Sequence, residues 1–344
     1  MSTPWLGLAE HTTLRVGGPA RRVVVAGSQA ELIDAVAEAD SRAEPVLLVG
    51  GGSNLLVADE GFPGTAILIA TKGIAGDVAD CAGATIDVAA GESWDSLVEH
   101  ALDQQWLGIE TLSGIPGLVG ATPIQNVGAY GSEVAQTITS VRTYDRQARA
   151  IRSFAAADCG FGYRTSRFKQ NPGRYVVLQV SFQFKLGTLG APIAYRELAA
   201  RLGVEAGERV DALRIRDAVL ELRRGKAMVL DAGDHDTWSA GSFFTNPILD
   251  EAAAARLPAE APRFTTEQGV KTSAAWLIQN AGFAKGYGRG PAQLSTKHVL
   301  ALTNRGGATA AEIVALAREV RDGVAAAFGV VLTPEVNLVG VGLD

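Results

Sequence analysis

The sequence predicts an α+β fold on three observations. One stretch alternates like a half-exposed strand, well-capped helices lie apart from it, and two glycine-rich loops do not open helices. In the strand, Leu178, Val180, Phe182 and Phe184 alternate with Gln179, Ser181, Gln183 and Lys185, the pattern of an antiparallel strand with one face in a core. Earlier, Ser28-Gln-Ala-Glu31 is a capping box that opens a helix to about Asp40, and Val46 to Val49 is a short apolar strand. Near the end, Thr309-Ala-Ala-Glu312 is a second capping box. Ile313, Leu316, Ala317, Val320 and Val324 follow at helical spacing, and Gly329 stops the helix.

At 344 residues the chain predicts two or three domains. The candidate domain boundaries are the turn-rich stretch Ile69 to Gly76 and the weakly patterned stretch Leu186 to Val210. The formal net charge of −6 argues against non-specific nucleic-acid binding. Cys81 and Cys159 stand far apart in no metal-like spacing, which predicts a reducing compartment with neither a disulfide framework nor a metal site. Residues 1–10 contain no basic n-region and no continuous apolar h-region, so no secretory signal is expected. Thr111 to Ser132 is uncharged, but Pro116, Pro123, Gln125 and Asn126 rule out a membrane helix there. A soluble, cytoplasmic protein is the expectation.

The first glycine loop, Gly50-Gly-Gly-Ser-Asn54, sits between two strand signals, 46–49 and 55–57. A dinucleotide fingerprint of the G-x-G-x-x-G type would need glycine at 55, where Leu55 stands, and a helix after it. A Rossmann domain is therefore disfavoured. A hairpin turn and a phosphate loop with Ser53 and Asn54 as side-chain donors both remain open. The second loop, Leu112 to Gly131, packs five glycines and two prolines into a region with no Lys or Arg from Thr111 to Val141. Such a loop cannot hold an anion by side-chain charge. It can offer a row of backbone N–H groups, which is how glycine loops cradle a pyrophosphate.

Six motifs occur in one order from Thr12 to Gly340: Gly50-Gly-Gly-Ser-Asn54, Ser113-Gly-Ile-Pro-Gly117, Gln125-Asn-Val-Gly-Ala-Tyr-Gly131, Gly162-Tyr-Arg164, Ala240-Gly-Ser-Phe-Phe244 and Pro334-Glu-Val336. Together they resemble the UDP-N-acetylenolpyruvoylglucosamine reductase (MurB) family, in its subclass with a tyrosine-bearing loop. The resemblance implies a two-lobed FAD-binding unit of the vanillyl-alcohol oxidase (PCMH) type plus a C-terminal α+β substrate domain. The expected limits are residues 1–70 for the first lobe, with strand 330–344 returning to it, 71–215 for the second lobe and 216–329 for the substrate domain. FAD would be held by Gly50, Gly51, Gly52, Ser53, Asn54, Ser113, Gly114, Gly117, Gly120, Thr122, Gln125, Asn126 and Gly128. No histidine lies within either loop, so non-covalent FAD is expected.

The same resemblance implies NADPH-dependent reduction of UDP-N-acetylglucosamine enolpyruvate to UDP-N-acetylmuramate by a monomer, in peptidoglycan precursor synthesis. Arg164, Ser242 and Glu335 fall on the catalytic positions of the family. Read from the residues alone, Ser242 is a turn hydroxyl and Glu335 a solvated strand-end carboxylate. Arg167 and Lys169, beside Arg164, read as a solvated basic turn. Tyr163, Tyr195, Arg223, Lys226 and Asn246 match substrate positions. Arg223 is equally explained as a cation at a helix C-terminus, and Asn246 as a turn residue before Pro247. His298 and the acidic segment Leu230 to Trp238 receive no role. Two other readings stay open, an FAD oxidase of the vanillyl-alcohol oxidase type and a non-catalytic UDP-sugar-binding protein.

Overall fold

The computed structural model describes residues 7–79, 81 and 83–344. In chain order the first elements are Ala20–Ala26 (β1), Gln29–Ser41 (α1), Val46–Val49 (β2), Leu55–Val57 (β3), Phe62–Ile69 (β4), Ile74–Ala79 (β5), Gly83–Ala89 (β6) and Trp94–Asp103 (α2). Next come Trp106–Leu107 (β7), Gly128–Ala129 (β8), Ser132–Glu133 (β9), Ile138–Asp145 (β10), Ala150–Ala155 (β11), Arg167–Gln170 (α3) and Tyr175–Leu186 (β12). Then follow Arg196–Leu202 (α4), Ala212–Gly225 (α5), Ile248–Leu249 (β13), Glu251–Arg256 (α6), Phe264–Thr266 (β14), Gly269–Lys271 (β15) and Ala274–Asn280 (α7). The last are Gly288–Arg289 (β16), Ala292–Leu294 (β17), Leu302–Asn304 (β18), Ala310–Phe328 (α8) and Asn337–Val339 (β19).

The chain divides into two units, one of residues 21–51 and 63–225, the other of 7–20, 52–62 and 226–344. Helix α5 crosses residue 216 without a break and belongs whole to the first unit.

In the first unit an antiparallel sheet runs β11-β10-β12-β6-β5, with β7 also paired to β12. At its centre Val180 faces Val141 on one side and Val88 on the other, and all three are buried. Helix α2 starts where the Ser93 side chain accepts the Ser96 N–H, and lays Trp94, Leu97, Val98 and Ala101 against Phe182 and Phe184. Burying each large side chain of this kind stabilises by about 1.5–3 kcal/mol.

Leu178 departs from the sequence expectation. Between Arg142↔Gln179 and Thr143↔Val177 the register with β10 slips, so Leu178 is skipped. Such a bulge flips the side chains that follow onto the other face. Leu178 and Val176 therefore pack with α1 and Tyr144, while Val180, Phe182 and Phe184 pack with α2. The smaller sheet, β1-β4-β2, receives the face of α1 formed by Leu32, Ala35 and Val36. That helix begins where expected, with Ser28 accepting the Glu31 N–H, but Glu31 accepts the Gly27 N–H at 2.7 Å rather than that of Ser28, so the capping box is only half formed.

In the second unit, β19 pairs in parallel with β3, Asn337 opposite Leu55. Helix α8 carries the expected capping box at Thr309 and Glu312, and ends at Gly329, whose φ of 68° is left-handed. Its Ile313, Leu316, Ala317, Val320 and Val324 enter one core with Phe243, Phe244, Leu277 and Leu302. The first glycine loop is no hairpin. β2 and β3 flank it as expected, but β2 pairs β4 while β3 pairs β19. The unit boundary falls between Gly51 and Gly52.

Candidate active site

In the first unit the two glycine loops meet backbone to backbone. A Cβ on Gly51 would lie 2.8 Å from the Cα of Gly117, and one on Gly50 would lie 3.6 Å from the Leu118 side chain. The second loop is stitched to the start of α2: Trp94 N–H donates to the Gly117 carbonyl at 3.0 Å, and Val119 N–H to that of Glu92 at 2.9 Å. Among the described residues the amides of Gly51 and Gly117 donate to no protein group. Bare main chain with uncommitted N–H groups fits a dinucleotide pyrophosphate.

Other residues expected to bind the cofactor have structural duties. Gly120 N–H goes to Ala90 O at 2.9 Å, and a Cβ there would meet Ala90 at 2.5 Å. Gly114 N–H goes to Asp95 Oδ1 at 2.6 Å. The hydroxyls of Ser113 and Thr122, both buried, donate to Glu110 O and Val119 O. These four contacts fix the path of the loop.

Three non-glycine residues near this frame are left-handed: Asn126 at φ 47°, Tyr130 at 50° and Arg164 at 53°. Each such residue costs about 1–3 kcal/mol and persists only where its surroundings over-determine it. Asn126, buried, donates to Glu133 at 2.7 Å and Gly162 O at 3.2 Å, and accepts the Ala135 N–H at 3.2 Å. Arg164 donates through Nη2 to Gly128 O at 2.8 Å and through Nη1 to Asn126 O at 3.4 Å. The guanidinium also lies 5.7 Å from the Tyr163 ring. Tyr163 and Gln125 are half-buried. A cation from 36 residues downstream thus reaches a loop whose own sequence has none.

Arg167 and Lys169 do not form a solvated basic turn. Lys169 Nζ donates to the Arg164 carbonyl at 3.0 Å, which braces the strained residue. Arg167 donates to Asp158 O at 2.7 Å and lies 5.1 Å over Phe154. Both are half-buried because α3 turns them back onto the 154–164 segment.

Tyr130 meets Tyr195 edge-on, with ring centroids 5.6 Å apart, and Tyr195 is 47% exposed at the N-cap of α4. Arg223 lies in the last turn of α5, but it is not simply a cation at a helix end. Burial lowers its pKa to about 10, against the attraction of Tyr130 and Asp95. Burial raises the Tyr130 phenol to about 12, offset by Arg223 and reinforced by Glu197 and Tyr195.

The second unit brings Ser242 and Glu335 together. Glu335 N–H donates to Phe243 O at 2.7 Å, and Phe244 bridges Pro334. Asn54 Nδ2 donates to Glu335 O at 3.3 Å, and Asn337 N–H to Asn54 O at 3.0 Å, so this end of the first glycine loop is tied to Glu335. Gly52 accepts the Thr13 N–H at 3.1 Å, with its Cα backed onto the His11 carbonyl. Ser53 is half-buried beside it. Ser242 is half-buried after the left-handed Gly241, and the turn hydroxyl is that of Ser239, which accepts the Gly241 N–H at 3.2 Å. Asn246 is not a free turn residue either, since its Oδ1 caps α7 by accepting the Ala274 N–H at 2.9 Å. Lys226 begins the second unit, half-buried. Arg164, Tyr163, Tyr195 and Arg223 belong to the first unit; Ser242, Glu335, Lys226 and Asn246 belong to the second.

Sequence reasoning missed Asp95. Its carboxylate takes the Gly114 amide and both terminal nitrogens of Arg216, at 2.7 and 3.0 Å. Arg216 and the Gly114 amide hold its pKa below the ordinary value, although burial pushes the other way. In sequence it reads as a routine acidic residue in a first helical turn, because its partner is 121 residues away.

Among the described residues no helix is long and apolar enough to cross a membrane. The family model of an FAD binding domain matches residues 20–153. That of the UDP-N-acetylenolpyruvoylglucosamine reductase C-terminal domain matches 233–339. Among curated relatives, UDP-N-acetylenolpyruvoylglucosamine reductase of Cutibacterium acnes is 56% identical, covering 97% of this chain and 89% of its own. The Streptomyces coelicolor protein of the same name is 56% identical, covering 98% and 90%. A solved structure, UDP-N-acetylenolpyruvylglucosamine reductase (MurB) from Thermus caldophilus, matches with a TM-score of 0.69 at 26% identity over 98% of this chain and all of that one. The α+β class and the FAD-binding unit implied by the six motifs both agree with these matches.

Proposed function

Because the chain belongs to the UDP-N-acetylenolpyruvoylglucosamine reductase family, we propose that it reduces UDP-N-acetylglucosamine enolpyruvate to UDP-N-acetylmuramate for peptidoglycan precursor synthesis. FAD is its resident, non-covalent cofactor and NADPH its reductant. The observation that carries this reading is the hold on Arg164: Gly128 and Asn126, on the glycine loop suited to the cofactor, accept from the guanidinium suited to a substrate carboxylate.

FAD, held by the glycine loops at Gly50 to Asn54 and Ser113 to Gly128, would supply the transfer of a hydride from NADPH to the terminal carbon of the enolpyruvyl double bond. Negative charge then grows on the neighbouring carbon and spreads into the substrate carboxylate. Arg164 neutralises that charge, and Glu335 in its protonated form donates a hydrogen bond to it. Ser242 gives its proton to the carbon, which completes the lactyl ether. A hydroxyl is a weak acid, yet an enediolate is basic enough to take its proton when the geometry is fixed.

Tyr163, Tyr195, Arg223, Lys226 and Asn246 grip the rest of the substrate. The half-buried guanidinium of Arg223 suits a diphosphate, and exposed Tyr195 is free to close over a nucleotide. In this reading the flavin is held by the expected lobes, 1–70 with 330–344 and 71–215, and the substrate domain expected from 216 starts after α5, at Lys226. The enzyme works as a cytoplasmic monomer, and NADPH and substrate use one site in turn.

The test is NADPH oxidation by the purified yellow protein, with and without UDP-N-acetylglucosamine enolpyruvate. Substrate-dependent oxidation and parallel double-reciprocal lines are expected. A colourless protein, or oxygen consumption that ignores the substrate, would sink the reading.

A further inference from the structure

The acidic segment before Trp238 has a place in the second unit that the reaction above does not use. Asp236 is only 3% exposed. Its carboxylate accepts the Thr296 N–H at 2.9 Å, the Thr296 hydroxyl, and Arg305 Nη1 at 2.5 Å. Asp234 takes the Lys297 ammonium at 2.7 Å and caps the Asp236 N–H at 2.9 Å. Two carboxylates thus grip one side of a single turn. That turn closes on itself, with Ser295 N–H to Ala301 O at 2.8 Å and Ala301 N–H to His298 O at 3.1 Å.

The gripped turn leads directly to Ser242. On one side of the serine, Phe243 N–H donates to Leu300 O at 2.7 Å, and Phe243 O accepts the Glu335 N–H. On the other side, Asn304 N–H donates to Trp238 O at 3.0 Å and Ser239 bridges Thr303. Both anchors of the 239–243 segment therefore lie on residues 300–304, which Asp236 holds through Thr296 before them and Arg305 after them.

We propose that Asp236 is a positioning residue that fixes the Ser242 hydroxyl beside Glu335 by locking the 295–305 turn. This rests on the reading of Ser242 as proton donor. A buried carboxylate with three donors has one geometry, and its neutral amide analogue cannot accept from all of them in the same way. Misplacing a reacting group by about 1 Å costs about 100-fold in rate.

The experiment follows flavin absorbance in the FAD-loaded enzyme for Asp236→Asn, Thr296→Val and Ser242→Ala. It measures flavin reduction by NADPH, flavin reoxidation by UDP-N-acetylglucosamine enolpyruvate, bound FAD and Tm. For Asp236→Asn, reoxidation should slow by about 10- to 100-fold, while reduction by NADPH and FAD content stay near wild type. Thr296→Val should slow reoxidation in the same selective way, though less, and it decides the matter where Asp236→Asn does not fold. If Ser242→Ala reoxidises at the wild-type rate, the proton-donor reading fails. If Ser242→Ala is slow while Asp236→Asn and Thr296→Val are not, or if they slow both half-reactions equally, the positioning role is overturned.

Discussion

A Cβ on Gly51 would come within 2.8 Å of the Gly117 Cα, so the two glycine loops of the first unit pass main chain against main chain. The obstructing atom is backbone, which cannot swing aside as a side chain can. Gly51→Ala should lower stability by about 1–3 kcal/mol through overpacking, and weaken FAD binding more than a matched surface substitution. Flavin titration beside a thermal melt checks this. An alanine variant that retains FAD with wild-type affinity would show that the close approach is dispensable.

Arg164 is held at φ 53° by two carbonyls and by Lys169, an arrangement that aims one guanidinium rather than merely supplying charge. Loss of a group that stabilises developing charge costs about 100- to 1000-fold in rate. Arg164→Ala should show a loss of that size in flavin reoxidation by the enolpyruvyl substrate. Arg164→Lys should recover only a small part, because a lysine cannot bond both Asn126 O and Gly128 O in a fixed fork. Full activity in the lysine variant would mean that charge alone suffices.

Asp145 should set part of the acid limit of folding. Its carboxylate takes Arg174 at 2.9 and 3.1 Å and the Gln147 and Ala148 amides, and Arg174 chiefly holds its pKa below the ordinary 3.8. The pKa is depressed in the folded state, so this contribution is complete above about pH 4–5 and is lost as pH falls through the folded value. Asp145→Asn should therefore melt lower than wild type at neutral pH, with the gap closing in acid. Melts across that range give the answer, and a gap that stays constant with pH would refute the linkage.

The two cysteines should differ sharply towards thiol reagents. Cys81 is exposed, whereas Cys159 is buried and its thiol is pushed up to about 11 by burial. Only a thiolate reacts quickly, so native protein should give one fast equivalent, with the second after unfolding. Cys81→Ser should abolish the fast phase; a fast phase that survives would place the reactive thiol at 159.

Much of the architecture is legible where the signal is local. The caps at Ser28 and Thr309, the stop at Gly329 and the strand at 46–49 each depend on residues within one turn or one pleat. The alternation of β12 is equally local, and it misleads at Leu178 because the bulge there shows only in how β12 pairs with β10. Asp95 and Asp236 look ordinary for the same reason. Their partners Arg216, Thr296 and Arg305 lie 60 or more residues away, and nothing beside a carboxylate in sequence announces such a donor.

By itself the sequence determined the α+β class, the exclusion of a Rossmann turn and the family, because glycine placement, capping and motif order are written along the chain. Only the tertiary structure decided which glycine amides stay uncommitted, why Arg164 reaches a loop with no cation, and that Asp236 and Ser242 share one hydrogen-bonded frame. The physical reason is that these are relations between distant segments. Hydrogen-bond partners and close backbone approach are set by how the sheets and the bulge bring the chain back on itself, and no local pattern encodes that return.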